Sequence, residues 1–231
     1  SATLAEYVMR SFDRLLAEKE GVYFYARFVD DILILTLGDE DPWGFLRAAR
    51  ASLFPGLHLN SIKTRFIDFK NTPKGSKGLL ANCFDFLGYQ FNVHERQNDK
   101  GDGLAFRQVY LDMAPKKAAR LKTRIVKSFH SFLRDGNFED LRDRLKLLAG
   151  NYNIYDQTKK ITRNSGLYCN YRLIHSDQSL VLPGLDSFLR ALILSPTGMF
   201  ASRPTFSLTK GQRRQLLRIG FARGFKNQVF Y

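Results

Sequence analysis

A chain of 231 residues is long enough for one large domain or two small ones, and 44% apolar with 13% aromatic residues describes a folded chain rather than a disordered one. No apolar run approaches the length of a membrane-spanning helix, and the charged opening SATLAEYVMRSFD lacks the apolar core of a secretory signal, so neither a membrane partner nor export is expected. The net charge of +14 is unevenly placed: residues 1–112 hold 14 basic and 15 acidic side chains, residues 113–231 hold 22 and 7, which suggests a polyanion-gripping module joined to a near-neutral one.

In chain order, Leu4, Val8, Phe12 and Leu15 recur at helical spacing and predict a helix over residues 1–18. GVYFYARFV and ILILTL are β-rich runs on either side of Asp30 and Asp31 and read as a hairpin. Asp41 before Pro42 is an N-cap followed by a proline in the first turn, starting a helix to about Phe54. KTRFIDF (63–69) reads as a strand, and KNTPKGSKG as a flexible loop in which Lys74 and Lys77 mark a hairpin tip rather than a phosphate cradle. CFDFLGYQFNV and LAFRQVYL read as a further pair of strands, which makes residues 1–112 an antiparallel α+β layer.

After Met113 the composition changes, and residues 113–231 form the second domain. APKKAARLKTRIVKSFHSFLRDG is an amphipathic helix whose apolar stripe is Leu121, Ile125, Phe129 and Phe132. Lys117, Arg120, Arg124 and Lys127 form a second stripe, and from Lys116 to Arg134 seven basic residues occur without an acidic one. NFEDLRDRLKLLAG is a second helix stopped by Gly150. Residues 151–181 read as mostly irregular, and helices return over 183–194 and 209–223. Cys83 and Cys169 have no metal or redox spacing and read as reduced packing residues of a cytoplasmic protein.

The chemistry lies in the adjacent carboxylates. Two like charges side by side in an apolar run are costly unless they sit at an exposed turn or a cation holds them. A hard divalent ion such as Mg²⁺ takes one or two carboxylates and completes its shell with substrate phosphates and water. Arg27, beside the hairpin, reads either as a nucleic-acid contact or as the partner of a carboxylate.

The setting RFVDDILIL resembles motif C of the reverse transcriptases, with Phe28 where that family usually carries tyrosine. Three further segments resemble the same family in the same order: SATLAEYVMRSFD its motif B helix, starting at Ser1; LHLNSIKTRF its motif D, with Lys63; and FDFLGYQF its motif E hairpin, with Leu87 and Gly88 at the turn. The wording of APKKAARLKTRI, LLAGNYNIYD and GLYCNY is most similar to bacterial abortive-infection and defence-associated members.

The resemblance implies a right-hand polymerase fold: the distal part of an antiparallel palm over residues 1–112, then a helical basic thumb over 113–231. It implies an RNA-directed DNA polymerase of an antiviral defence system, working on dNTPs with an RNA template and a DNA product through a two-metal Mg²⁺ site. Asp30 and Asp31 would be metal ligands and Lys63 a catalytic lysine. Ser1, Arg27, Leu87, Gly88, Lys117, Arg120, Arg124 and Lys127 would meet nucleic acid. The motif A aspartate of the family is missing, so the second half of the metal cage is expected outside this sequence, in an N-terminal part of the same polymerase or an accessory subunit or RNA. Two alternatives stay open: template-independent or protein-primed synthesis, for which Tyr152, Tyr155, Tyr168 and Tyr171 single out no priming hydroxyl, and a non-catalytic nucleic-acid-binding scaffold.

Overall fold

The computed structural model describes residues 2–69, 80–97, 105–194 and 208–231; Ser1 and the segment with Lys74 and Lys77 lie outside them. The described chain is α+β and divides into two compact units, Ser1–Leu87 with Val93–Gln108, and Gly88–Asn92 with Val109–Tyr231. The division falls close to the change of composition, but the tip of one hairpin and the end of the following strand group with the helical unit.

The first unit opens with α1 (Ala2–Ala17), the antiparallel pair β1 (Val22–Phe28) and β2 (Asp31–Thr36), and α2 (Pro42–Ala51). The buried face of α1 matches the predicted one only in part. Phe12 is buried and Val8 half-buried as predicted, but Leu16 is buried with Met9 beside it, whereas Leu4 and Leu15 are exposed. The helix is turned so that Asp13 meets the hairpin, where it accepts hydrogen bonds from Tyr25 and Arg27. Ile32 and Ile34 of β2 and Phe45 of α2 complete this small core. Asp41 caps α2 as expected, accepting from the Trp43 and Gly44 amides at 3.0 and 2.8 Å.

Residues 63–69 form no strand. The Asn60 side chain accepts from the Ile62 and Lys63 amides, a local turn that competes with extension. The irregular stretch beyond it is fixed by Phe66, whose ring meets Trp43 edge-on at 5.3 Å. β3 (Leu80–Phe86), β4 (Tyr89–Gln97) and β5 (Ala105–Met113) form a sheet in that order. The segment that reads as one strand over 83–93 is therefore a hairpin. Its turn residues Leu87 and Gly88 both have positive φ (50° and 85°), the pattern of a tight two-residue turn that matches strand twist.

The second unit holds the main core, built on α3 (Pro115–Asp135) and α4 (Phe138–Ala149). Ile125, Phe129 and Phe132 are buried and Leu121 partly so, as the helical spacing predicts. Gly136 ends α3 in the left-handed conformation (φ 66°), and the Asn137 side chain caps α4. Residues 151–181 are not irregular throughout: β6 (Asn151–Asp156) and β7 (Ile161–Gly166) pair as a hairpin, followed by the short helix α5 (Leu167–Tyr171). Polar and aromatic side chains hide the strand signal there, because little of the hairpin is buried.

Buried Asn151 ties this region together. Its side chain accepts from the Cys169 amide and donates to the Val229 carbonyl, and its backbone pairs with Val229 and Tyr231. α6 (Val181–Leu194) starts where buried Asp112 accepts from the Ser179 hydroxyl and the Leu180 and Val181 amides. The predicted helix 209–223 is two helices, α7 (Lys210–Leu216) and α8 (Phe221–Lys226). Thr209 forms a capping box on the first, and Asp186 accepts from the Phe221 and Ala222 amides at the start of the second. Burial pushes the Asp186 carboxyl up from its ordinary pKa against those two bonds. Both cysteines are free thiols, and among the described residues no helix is long and apolar enough to cross a membrane.

Candidate metal and nucleic-acid site

In the first unit, Phe28 pairs with Asp31, so Val29 and Asp30 alone make the turn between β1 and β2. Val29 has φ 58°. Glycine is the usual residue for a positive φ at the first position of such a turn, and a β-branched side chain is strained there. Strain of this kind costs about 1–3 kcal/mol and persists only where neighbours over-determine it.

The neighbour responsible is Arg27, whose side chain is only 5% exposed. One guanidinium nitrogen donates to the Val29 carbonyl at 3.0 Å. The rest forms a two-pronged pair with Asp13, at 2.8 Å on each oxygen, and a further pair with Glu6. Arg27 is thus the partner of carboxylates, and its guanidinium is already engaged rather than offered to a phosphate. Its bonds hold the Asp13 carboxyl below the ordinary pKa against the effect of burial, with Tyr25 adding to the shift. Bonds to Asp13 and then Glu6 in turn raise Arg27. Burial, then the bond to Asp13, pushes the Tyr25 phenol up.

Strand alternation puts Tyr25 and Arg27 on the face toward α1, and Asp31 on the opposite face with Phe24, Phe28 and Leu35. Asp30 and Asp31 are both exposed, and neither carboxylate takes part in a hydrogen bond or ion pair with another described residue. Two free, neighbouring, acceptor-only carboxylates fit a hard cation such as Mg²⁺. No group of three His, Cys, Asp or Glu side chains converges among the described residues, so these offer at most a pair of ligands. Lys63 is exposed in the turn set by Asn60, and no ion pair joins it to either aspartate.

In the second unit, Gly88 meets Lys117, which shares a cleft with Arg120 and Arg124. An added Cβ on Gly88 would lie 3.1 Å from Cε of Lys117, so the absence of a side chain lets the lysine lie across the hairpin tip. Leu87, beside it in the turn, is exposed. The Gly88 carbonyl accepts from the Ala114 amide, fixing the tip to the start of α3. Lys117, Arg120 and Arg124 then line one wall of a cleft of about 160 Å³, with Tyr152, Asn170 and Tyr171 opposite; Lys127 is exposed further along α3.

The contrast with the next helix is sharp. On α4, Arg142, Arg144 and Lys146 are matched by Glu139, Asp140 and Asp143. Lys117, Arg120, Arg124 and Lys127 form no ion pair with a described residue. Burial raises the Tyr171 phenol, while the Arg124 and Arg120 charges oppose the shift. Glu6 and Asp13, which hold Arg27, and the aromatic wall of the cleft are not evident from the sequence. Tyr152 and Tyr171 stand out there only as members of a tyrosine-rich, basic segment.

Comparison with known protein families, with curated proteins and with solved structures found no match for this chain.

Proposed function

We propose that this chain carries the metal-binding turn and the nucleic-acid grip of an RNA-directed DNA polymerase with a right-hand fold, acting in bacterial antiviral defence. The observation that carries the reading is the β1–β2 turn. It presents two unengaged carboxylates at a strained position that Arg27, Asp13 and Glu6 hold from behind. Strain kept at a point of exposed charge is better explained by a ligand than by folding, since a glycine at Val29 would make the same turn at lower cost.

Asp30 and Asp31 would hold Mg²⁺, which when bound favours attack by a primer hydroxyl and departure of pyrophosphate. Arg27 sets the position of the turn by holding the Val29 carbonyl. Lys63 would serve incoming phosphates if substrate binding brings it near. Lys117, Arg120, Arg124 and Lys127 supply positive charge for a nucleic-acid backbone. Because the described residues offer two ligands rather than a full cage, a second reading is a scaffold subunit that binds nucleic acid without transferring nucleotides.

Incorporation of labelled dNTPs by the full native protein, with Mg²⁺ and a primed RNA template, tests the choice. Product in the wild type and none with Asp30→Asn is expected, and reactions without template separate copying from untemplated addition. No product from a wild-type protein that still binds nucleic acid would leave the scaffold reading.

A further inference from the structure

From the cleft in the second unit we infer a binding site for an unpaired nucleotide of a single-stranded nucleic acid, with Tyr152 and Tyr171 facing the base and Lys117, Arg120 and Arg124 the phosphates. The inference rests on the reading of α3 as a nucleic-acid grip, and not on polymerase activity.

Size argues first. At about 160 Å³ the cleft falls below the roughly 300–1,000 Å³ of sites that enclose a whole small molecule, so it fits one part of a larger ligand. Chemistry argues next. Lys117, Arg120 and Arg124 follow one another at three and four residues, about 4.5 and 6 Å along the helix axis, a row of cations that can track a backbone. None has an acidic partner among the described residues, so each keeps its charge for a ligand.

The opposite wall separates a single strand from a duplex. A duplex exposes mainly phosphates and needs only cations, whereas an unpaired base offers a flat face that aromatic rings stack on. Tyr171 is half-buried and braced by Tyr89, whose ring lies 6.0 Å away at 75° and whose hydroxyl donates to the Asn170 carbonyl. Tyr152 is held in β6 next to buried Asn151. Neither the Tyr152 nor the Tyr171 hydroxyl forms a hydrogen bond with a described residue, which leaves both available to a base edge or a sugar. Rigid rings opposite free cations are the arrangement that single-strand binding combines.

Fluorescence anisotropy on the full chain, without divalent cation or dNTP, provides the test, using labelled oligothymidine, oligouridine and a blunt duplex of equal length. Single strands should bind at least tenfold more tightly than the duplex, and Tyr152→Ala should weaken them roughly tenfold while sparing the duplex. With about 0.7 counterions released per phosphate contact, Arg120→Ala with Arg124→Ala should lower the slope of log affinity against log salt by about 1.4. Photocrosslinking of an iodouracil strand to the wild type, with an adduct on Tyr152 or Tyr171, gives a readout that no folding defect can mimic. Equal or tighter duplex binding, or single-strand binding with adducts only elsewhere, would overturn the inference; so would the absence of binding to any strand. Asp30→Asn should pass every arm unchanged even where it abolishes nucleotide incorporation, so failure of the polymerase reading and failure of this site are distinguishable.

Discussion

Replacing Arg27 with alanine removes the group that ties α1 to the carboxylate turn. Two of its bonds go to Asp13 and one to the Val29 carbonyl, all at 2.8–3.0 Å, while the Glu6 partner is 63% exposed. Hydrogen bonds to charged groups contribute about 1.5–3 kcal/mol each, and an exposed pair such as that with Glu6 at most about 1. Breaking a fully buried pair costs about 3–5 kcal/mol. Asp13 is 28% exposed, so water recovers part of its solvation and the loss falls below that range. We expect about 2–3 kcal/mol.

Trp43, the sole tryptophan, lies in the first unit and reports its unfolding in urea by fluorescence. At 1–3 kcal/mol per molar urea, the midpoint should fall by about 1–2 M. Asp13→Ala should cost a similar amount, and the double variant should cost much less than the two together. Arg27→Lys should recover only part of the loss, because an ammonium lacks the planar fork that meets both Asp13 oxygens. A loss under about 0.5 kcal/mol, or additive single effects, would refute the reasoning and make the cluster an ordinary solvated ion pair.

Three further outcomes are expected. Val29→Gly relieves the positive φ at the cost of a more flexible unfolded chain, so a net gain of about 0.5–2 kcal/mol should appear in the same urea assay; a loss would mean that the valine side chain contributes more than its backbone costs. Asn151→Ala leaves the half-buried Cys169 amide without its acceptor and should cost about 1–3 kcal/mol by circular dichroism, weakening single-strand binding alongside. Acid should act on the Asp13–Arg27 pair in one direction only. Because the folded Asp13 carboxyl titrates below the ordinary 3.8, the unfolded chain binds more protons between the two values, and stability there rises with pH. The contribution is complete above about pH 5 and is lost as pH falls below 3.8 through the folded value, a decline that Asp13→Asn should flatten in urea titrations across pH.

Local chemistry made much of this legible in the sequence. The Asp41–Pro42 start of α2, the apolar stripe of α3 and the Gly150 stop of α4 each follow from a few neighbouring residues, whereas the turn at Leu87 and Gly88 was expected only from the family resemblance. What the sequence left open depended on distant partners. The face of α1 was placed only in part, with Phe12 right and Leu15 wrong, because Asp13, a polar residue, lies at the edge of the buried side through its bonds to Tyr25 and Arg27. The β6–β7 hairpin lacked an apolar alternation, since its order comes from Asn151 and the chain's last residues rather than from burial. Lys63 looked like part of a strand, but Asn60, three residues earlier, closes a turn there. At the site, Asp30 and Asp31 could be picked out by adjacency, as could the cations of α3 by periodicity. The residues that position them could not, because Glu6 is 21 positions from Arg27, and Tyr152 and Tyr171 meet the cations only through folding.

The most direct test of the carboxylate turn is dNTP binding by the full native protein, measured calorimetrically with and without Mg²⁺ in the wild type and in Asp30→Asn. Binding that strengthens with Mg²⁺ in the wild type and loses that dependence in the variant is the expected result. Binding that ignores Mg²⁺, or a dependence that survives Asp30→Asn, would contradict a metal site at this turn.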